Sequence, residues 1–69
     1  MRLEYDKEVD AAYVYLVYPI KDGEAKKTIE LNENIIIDFN DRGEMIGIEV
    51  LNAIKLLSKK SLSEADASK

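Results

Sequence analysis

Between Arg2 and Leu51, short runs of period-two alternation between apolar and polar residues dominate the chain, and each stretch separating them is shorter than eight residues. Period-two alternation is the mark of a strand with one dry face and one wet face. Leu3 and Tyr5 alternate with Arg2, Glu4 and Asp6, which predicts a first strand. Ala12 to Tyr18 predicts a second, rich in the β-branched and aromatic residues that suit a pleated surface. In it Val14 and Leu16 point one way, while Tyr13, Tyr15 and Val17 point the other. Pro19 cannot donate to a ladder, so the strand ends there or lies at an edge. Asp22-Gly23 supplies turn chemistry. A third strand is expected over about Ala25 to Leu31, a fourth over Ile35 to Phe39 and a fifth over Glu44 to Leu51, with Asn40-Asp41-Arg42-Gly43 as the clearest turn. Parallel neighbours need crossovers of about a dozen residues. The spacing therefore predicts a five-stranded antiparallel meander.

Asn52 has the chemistry of a helix N-cap, its side chain accepting from an early backbone N–H. Ala53, Leu56 and Leu57 form one apolar stripe behind it, and Lys59 and Lys60 suit the negative end of a helix dipole. Beyond them the chain reads SLSEADASK, a polar stretch with no apolar run. The fold class expected is α+β: the meander with one C-terminal helix packed on the sheet, over residues 1–58, followed by a disordered tail over residues 59–69.

Composition removes more chemistry than any motif adds. The chain has 69 residues with no Cys and no His. Disulfides, thiolate nucleophiles, Cys-ligated metals, Ser-His-Asp triads and imidazole ligands are all excluded. No cofactor or metal site is expected. Residues 1–54 carry six basic and twelve acidic side chains, while residues 55–69 carry four and two. An acidic body repels nucleic acid and favours a basic protein partner. The longest apolar run, Ala11 to Tyr18, is too short for a membrane span, and no signal peptide opens the chain, so a cytoplasmic protein is expected.

Below about 70–80 residues, one core seldom supplies more than about 3–5 kcal/mol without a staple. The last two strands point to which staple this chain uses. Ile35, Ile37 and Phe39 share one face, yet Ile36 is also apolar. Ile46, Ile48 and Val50 share one face, yet Met45 and Leu51 occupy the other. Strands apolar on both faces are usually covered on both, and one short helix covers one. A second copy of the chain would cover the other, most economically as a homodimer. Tyr13, Tyr15, Ile36, Met45 and Leu51 are the candidate interface. Gly47, inside the fifth strand, marks a bulge or a close approach of another backbone.

Asp38 and Glu49 stand inside otherwise apolar strands and are the candidate acid or ligand site. Two registers of the last hairpin remain open. A bulged loop pairs Asn40 with Glu44 and sets Asp38 across from Ile46; a four-residue loop pairs Phe39 with Glu44 and leaves Asp38 and Glu49 on one wetter face. The alternating acids Asp6, Glu8 and Asp10 look like the start of a calcium loop, but Ala11 and Val17 stand where an EF-hand needs Gly and Glu. They read as a solvated turn in which Asp6 or Asp10 accepts from nearby backbone N–H groups. The first functional reading is a non-enzymatic, self-associating interaction module. The alternative is a small-ligand-binding or carboxylate-based catalytic protein using Asp38 and Glu49.

Three blocks then form a recognisable pattern: Tyr5-Asp6-x-Glu8-x-Asp10-Ala11-x-Tyr13-Val14, Ile36-Ile37-Asp38-Phe39-Asn40-x-x-Gly43, and Gly47-Ile48-Glu49-Val50-Leu51-Asn52-Ala53. Over residues 2–54 the chain resembles the prokaryotic domain of unknown function 2283 family. Lys7 and Asn52 depart from the common pattern, where Pro and Asp are frequent. The resemblance implies a small, β-rich cytoplasmic protein with no catalytic residues to carry over, and an antitoxin-type role beside a small toxin-like partner.

Overall fold

A computed structural model describes residues 1–67. Six strands form one mixed sheet: β1 (Arg2–Asp6), β2 (Ala11–Tyr15), β3 (Lys27–Glu30), β4 (Ile35–Phe39), β5 (Met45–Leu51) and β6 (Asp66–Ala67). Two short helices, α1 (Ala53–Leu56) and α2 (Lys59–Glu64), lie between β5 and β6. The α+β class holds. The strand order is β3-β4-β5-β2-β1-β6, and β6 runs parallel to β1.

The expected five-stranded antiparallel meander with one helix is corrected: a sixth strand, β6, joins the sheet parallel to β1, the helices number two, and the strand order differs. β2 pairs with β5, not with β3, so β2 to β5 are ordered as in a Greek key. The reason lies in what each strand has to bury. β2 and β5 carry Ala12, Ile46 and Val50, three of the four fully buried apolar residues, and they take the middle of the sheet. β3 is exposed at all four positions and takes the edge. β2 also stops at Tyr15, three residues before the expected end. The N–H groups of Leu16 and Val17 both turn to the Ile46 carbonyl, at 3.0 and 3.4 Å, and residues 16–26 then carry the chain across to the far edge.

The last hairpin combines features of both open registers. Asn40 N–H donates to the Glu44 carbonyl at 2.9 Å, as in the bulged loop. A further irregularity between Asp38 and Phe39 skips Ile46, so Phe39 pairs with Met45 but Asp38 pairs with Gly47 and Ile36 with Glu49. Asp38 and Glu49 therefore share a face after all.

Both helices pack on one side of the sheet. Ala12, Val50 and Ala53 form the buried cluster, with Leu3, Tyr5, Ile35, Ile48, Leu57 and Leu62 against it. Asn52 stands at the N-cap of α1, but in a left-handed conformation (φ 55°) and without a side-chain cap. The corrected cap comes from far away in sequence: Asp10 Oδ1 accepts from Ile54 N–H at 3.0 Å. Helix α1 ends at Leu56 and Leu57 turns extended, so Leu57 reaches the core while Leu56 stays exposed. Where a disordered tail was expected, residues 59–64 are helical. Ser58 Oγ caps α2 by accepting from Ser61 N–H at 3.0 Å, and residues 66–67 pair with β1. Residues 68–69 of that expected tail lie outside the described residues. No helix among the described residues is long and apolar enough to cross a membrane.

Candidate functional site

The side of the sheet away from the helices is built from two cross-strand rows. One runs Asp66, Glu4, Tyr13, Glu49, Ile36, Glu30, one residue from each of the six strands. The next runs Arg2, Tyr15, Gly47, Asp38, Thr28. Directly opposite residues point to the same side of a sheet, so this open face gathers Glu4, Glu30, Asp38, Glu49 and Asp66 against Arg2. Asp6, Ala11 and Leu51 pair one step further along the same face, and Asp6 is its sixth carboxylate. Of the five candidate interface residues, Tyr13, Tyr15, Ile36 and Leu51 come together here, all half-buried. Met45 does not join them: the bulge pairs it with Phe39, and it is 45% exposed.

Tyr13 crosses a whole strand to reach its partner. Its phenol lies over Gly47 on β5 and donates to Asp38 Oδ2 on β4 at 2.6 Å. A Cβ at position 47 would overlap the Tyr13 hydroxyl and stand 2.7 Å from Cε2. That explains a glycine in mid-strand: only a bare backbone lets the ring pass. The second Asp38 oxygen, Oδ1, accepts from Thr28 Oγ1 at 2.6 Å. Burial, and then the bond to Asp38, push the Tyr13 hydroxyl well above the usual tyrosine range. A phenol so held stays protonated and donates. The carboxylate it serves has a hydroxyl on each oxygen, the arrangement of a structural acid rather than a free general base. Among the described residues Asp38 and Glu49 share no hydrogen bond, so the expected pair is brought to one face without forming a dyad.

Beside this bridge the aromatic side chains stack. Tyr13 and Tyr15 meet edge to face at 4.7 Å between centroids, and Tyr15 and Tyr18 at 5.0 Å. Tyr15 donates to Glu4 Oε1 at 3.1 Å, and burial followed by this bond raises its hydroxyl. Arg2 pairs with Glu4 at 3.0 Å, reaches Asp66 at 3.5 Å and lies 4.6 Å above the Tyr18 ring. Ile20, on the link after Pro19, closes a shallow depression of about 250 Å³ with Tyr13, Tyr15 and Asp38. A larger hollow of about 580 Å³ lies at the β1–β2 turn, between Tyr5, Lys7 and Leu62. At that turn Asp6 Oδ1 accepts from Glu8 N–H at 3.0 Å, and Asp10 accepts from the Tyr5 hydroxyl at 2.8 Å. No group of three potential metal-ligating side chains occurs among the described residues.

Of the candidates Tyr13, Tyr15, Ile36, Met45, Leu51, Asp38 and Glu49, all but Met45 lie on this face. Arg2, Glu4, Thr28, Tyr18 and Ile20 were missed. Glu4 and Arg2 carried a usable signal, since alternation already placed them on the wet side of β1. Thr28 and Ile20 carried none, because their meeting with Asp38 depends on pairings distant in sequence.

The family model described as protein of unknown function (DUF2283) matches residues 2–53. An uncharacterized protein of Methanocaldococcus jannaschii is 42% identical over 59 residues, covering 84% of this chain and 46% of that protein. The chain thus spans less than half the length of this curated relative. No solved structure matches at a significant level.

Proposed function

The chain belongs to the DUF2283 family, and we propose from its own geometry that it is a non-catalytic interaction module whose open sheet face receives a basic segment of a protein partner. One observation carries this reading. The face left free by both helices presents six carboxylates against one arginine, interleaved with stacked tyrosines. Such a surface repels a second copy of itself and attracts lysine and arginine, whose charged heads meet carboxylates and whose stems lie on aromatic rings. An antitoxin-type role is one form such binding takes. The hydroxyl held on each Asp38 oxygen speaks against the catalytic alternative.

Titration of the labelled chain with an arginine-rich peptide, followed by amide chemical shifts, tests the reading. Binding that perturbs Tyr13, Tyr15 and Glu49 and weakens with added salt is expected. Glu4→Gln with Glu49→Gln should reduce affinity about tenfold or more, since rim charges act additively at this scale. A peptide that leaves these amides unmoved at low salt overturns it.

A further inference from the structure

A second surface, independent of the acidic face, is set up to join two copies of the chain. On the helix-covered side, five aliphatic residues run straight across the sheet, one per strand: Leu3, Val14, Ile48, Ile37 and Ile29. The row does not close. It ends on β3, where Ile29 is 40% exposed and Leu31 beyond it 65%. The backbone of β3 is open on the same side. Leu31 N–H donates to the Ile35 carbonyl at 2.8 Å, so the odd-numbered residues turn their hydrogen-bonding groups towards β4. Alternation then points those of Thr28 and Glu30 outward, without a partner strand among the described residues.

The geometry points to antiparallel pairing of β3 with β3 of a second copy, about a two-fold axis perpendicular to the sheet at Ile29. That register sets Ile29 against its own counterpart on the helix side and continues the aliphatic row from one chain into the next. It sets Thr28 against the partner's Glu30, and Glu30 against the partner's Thr28, closing their outward backbone groups with four hydrogen bonds. It also makes the charges fit. The segment is basic at one end, Lys26 and Lys27, and acidic at the other, Glu30 and Glu33. Antiparallel pairing lays each basic end beside the partner's acidic end; parallel pairing would lay like beside like. Lysines often guard edge strands against such contact, but here each lysine pair has its complement on the same strand. The contact is short and falls below the area of a permanent interface, so the dimer forms and dissociates with concentration. The joined molecule is one twelve-stranded sheet that leaves both acidic faces free.

Light scattering across protein concentration, together with amide hydrogen exchange, tests this. Mass should rise from the 7.8 kDa of one chain towards twice that value, with protection of the Thr28 and Glu30 amides rising in step. Ile29→Lys should abolish the rise. A charge-swap pair guards against a variant that fails through misfolding. A copy with Lys26→Glu and Lys27→Glu, and another with Glu30→Lys and Glu33→Lys, should each lose self-association at least tenfold, and an equimolar mixture should regain it. A chain that stays monomeric at millimolar concentration overturns the proposal. So does a dimer that survives Ile29→Lys, or one that forms without protecting Thr28 and Glu30.

Discussion

A methyl group at Gly47 has nowhere to go, because the Tyr13 ring already occupies the space above that backbone on its way to Asp38. Gly47→Ala should therefore cost about 1–3 kcal/mol, the usual penalty for overpacking. Combined with Tyr13→Ala it should cost less than the two changes summed, since the second removes what the first collides with. Urea unfolding of the three variants measures this. Tyr13→Phe keeps the ring and removes one donor from the Asp38 carboxylate, a loss of about 1–2 kcal/mol at neutral pH. It should also flatten the alkaline limb of stability. The raised Tyr13 ionisation stabilises the folded chain fully below the ordinary tyrosine pKa of about 10, and that contribution is lost as pH climbs beyond it. Unfolding free energy from about pH 8 to about pH 11 should fall more steeply for the native sequence than for Tyr13→Phe. Equal slopes would mean the phenol is not held as the structure shows.

Helix α1 has four residues, far too few to persist alone. Its start is fixed by Asp10, forty-four positions upstream, which accepts from Ile54 N–H through its side chain and from Ala53 N–H through its carbonyl at 3.1 Å. Asp10 also sits at φ 54°, a left-handed conformation that Asp and Asn tolerate better than alanine. Asp10→Ala loses the cap and adds strain, about 1–3 kcal/mol together, whereas Asp10→Asn should cost under about 1 kcal/mol. Amide exchange at Ile54 should quicken in the first and not in the second. This clamp also shows what was legible in sequence and what was not. Strands β1 to β5 and the hairpins β1–β2, β3–β4 and β4–β5 are legible because alternation and turn residues are local signals, whereas β6 has too short a run to show. Asn52 was correctly placed at a helix start, but its capping role was misassigned, since nothing local reports that the β1–β2 turn lies against it. The β2·β5 pairing was hidden for the same reason, and with it the Greek-key order. Helix α2 is not legible because the run after Lys60 is polar and lacks an apolar stripe, and its cap, Ser58, lies before that run. Gly47, Tyr13 and Asp38 were each singled out one at a time. Their convergence became visible only once β2 lay beside β5.

Across the molecule, the two sides of the sheet do different work. The helix side holds a core of four fully buried apolar residues, Ala12, Ile46, Val50 and Ala53, and only Ile46 and Val50 bring appreciable volume. Of the apolar residues expected to need a second cover, Ile36 and Leu51 lie on the side that the helices leave open, where carboxylates outnumber them. Among the described residues the ion pairs, Arg2 with Glu4 and Asp66 and Arg42 with Glu44, use two basic side chains, in a chain with ten basic residues against fourteen acidic ones. Screening therefore removes more repulsion than attraction. At about 0.1 M salt the screening length is about 10 Å and at 1 M about 3 Å, shorter than the diagonal spacing of roughly 7–8 Å between carboxylates on neighbouring strands. Added sodium chloride should raise the melting temperature of the free chain by a few degrees and weaken its hold on an arginine-rich peptide over the same range. Glu4→Gln with Glu49→Gln should diminish both trends together, because one set of charges produces them. Parallel thermal melts and peptide titrations in a salt series read both. A double variant that loses the stability trend but keeps salt-sensitive binding would place the peptide elsewhere on the molecule.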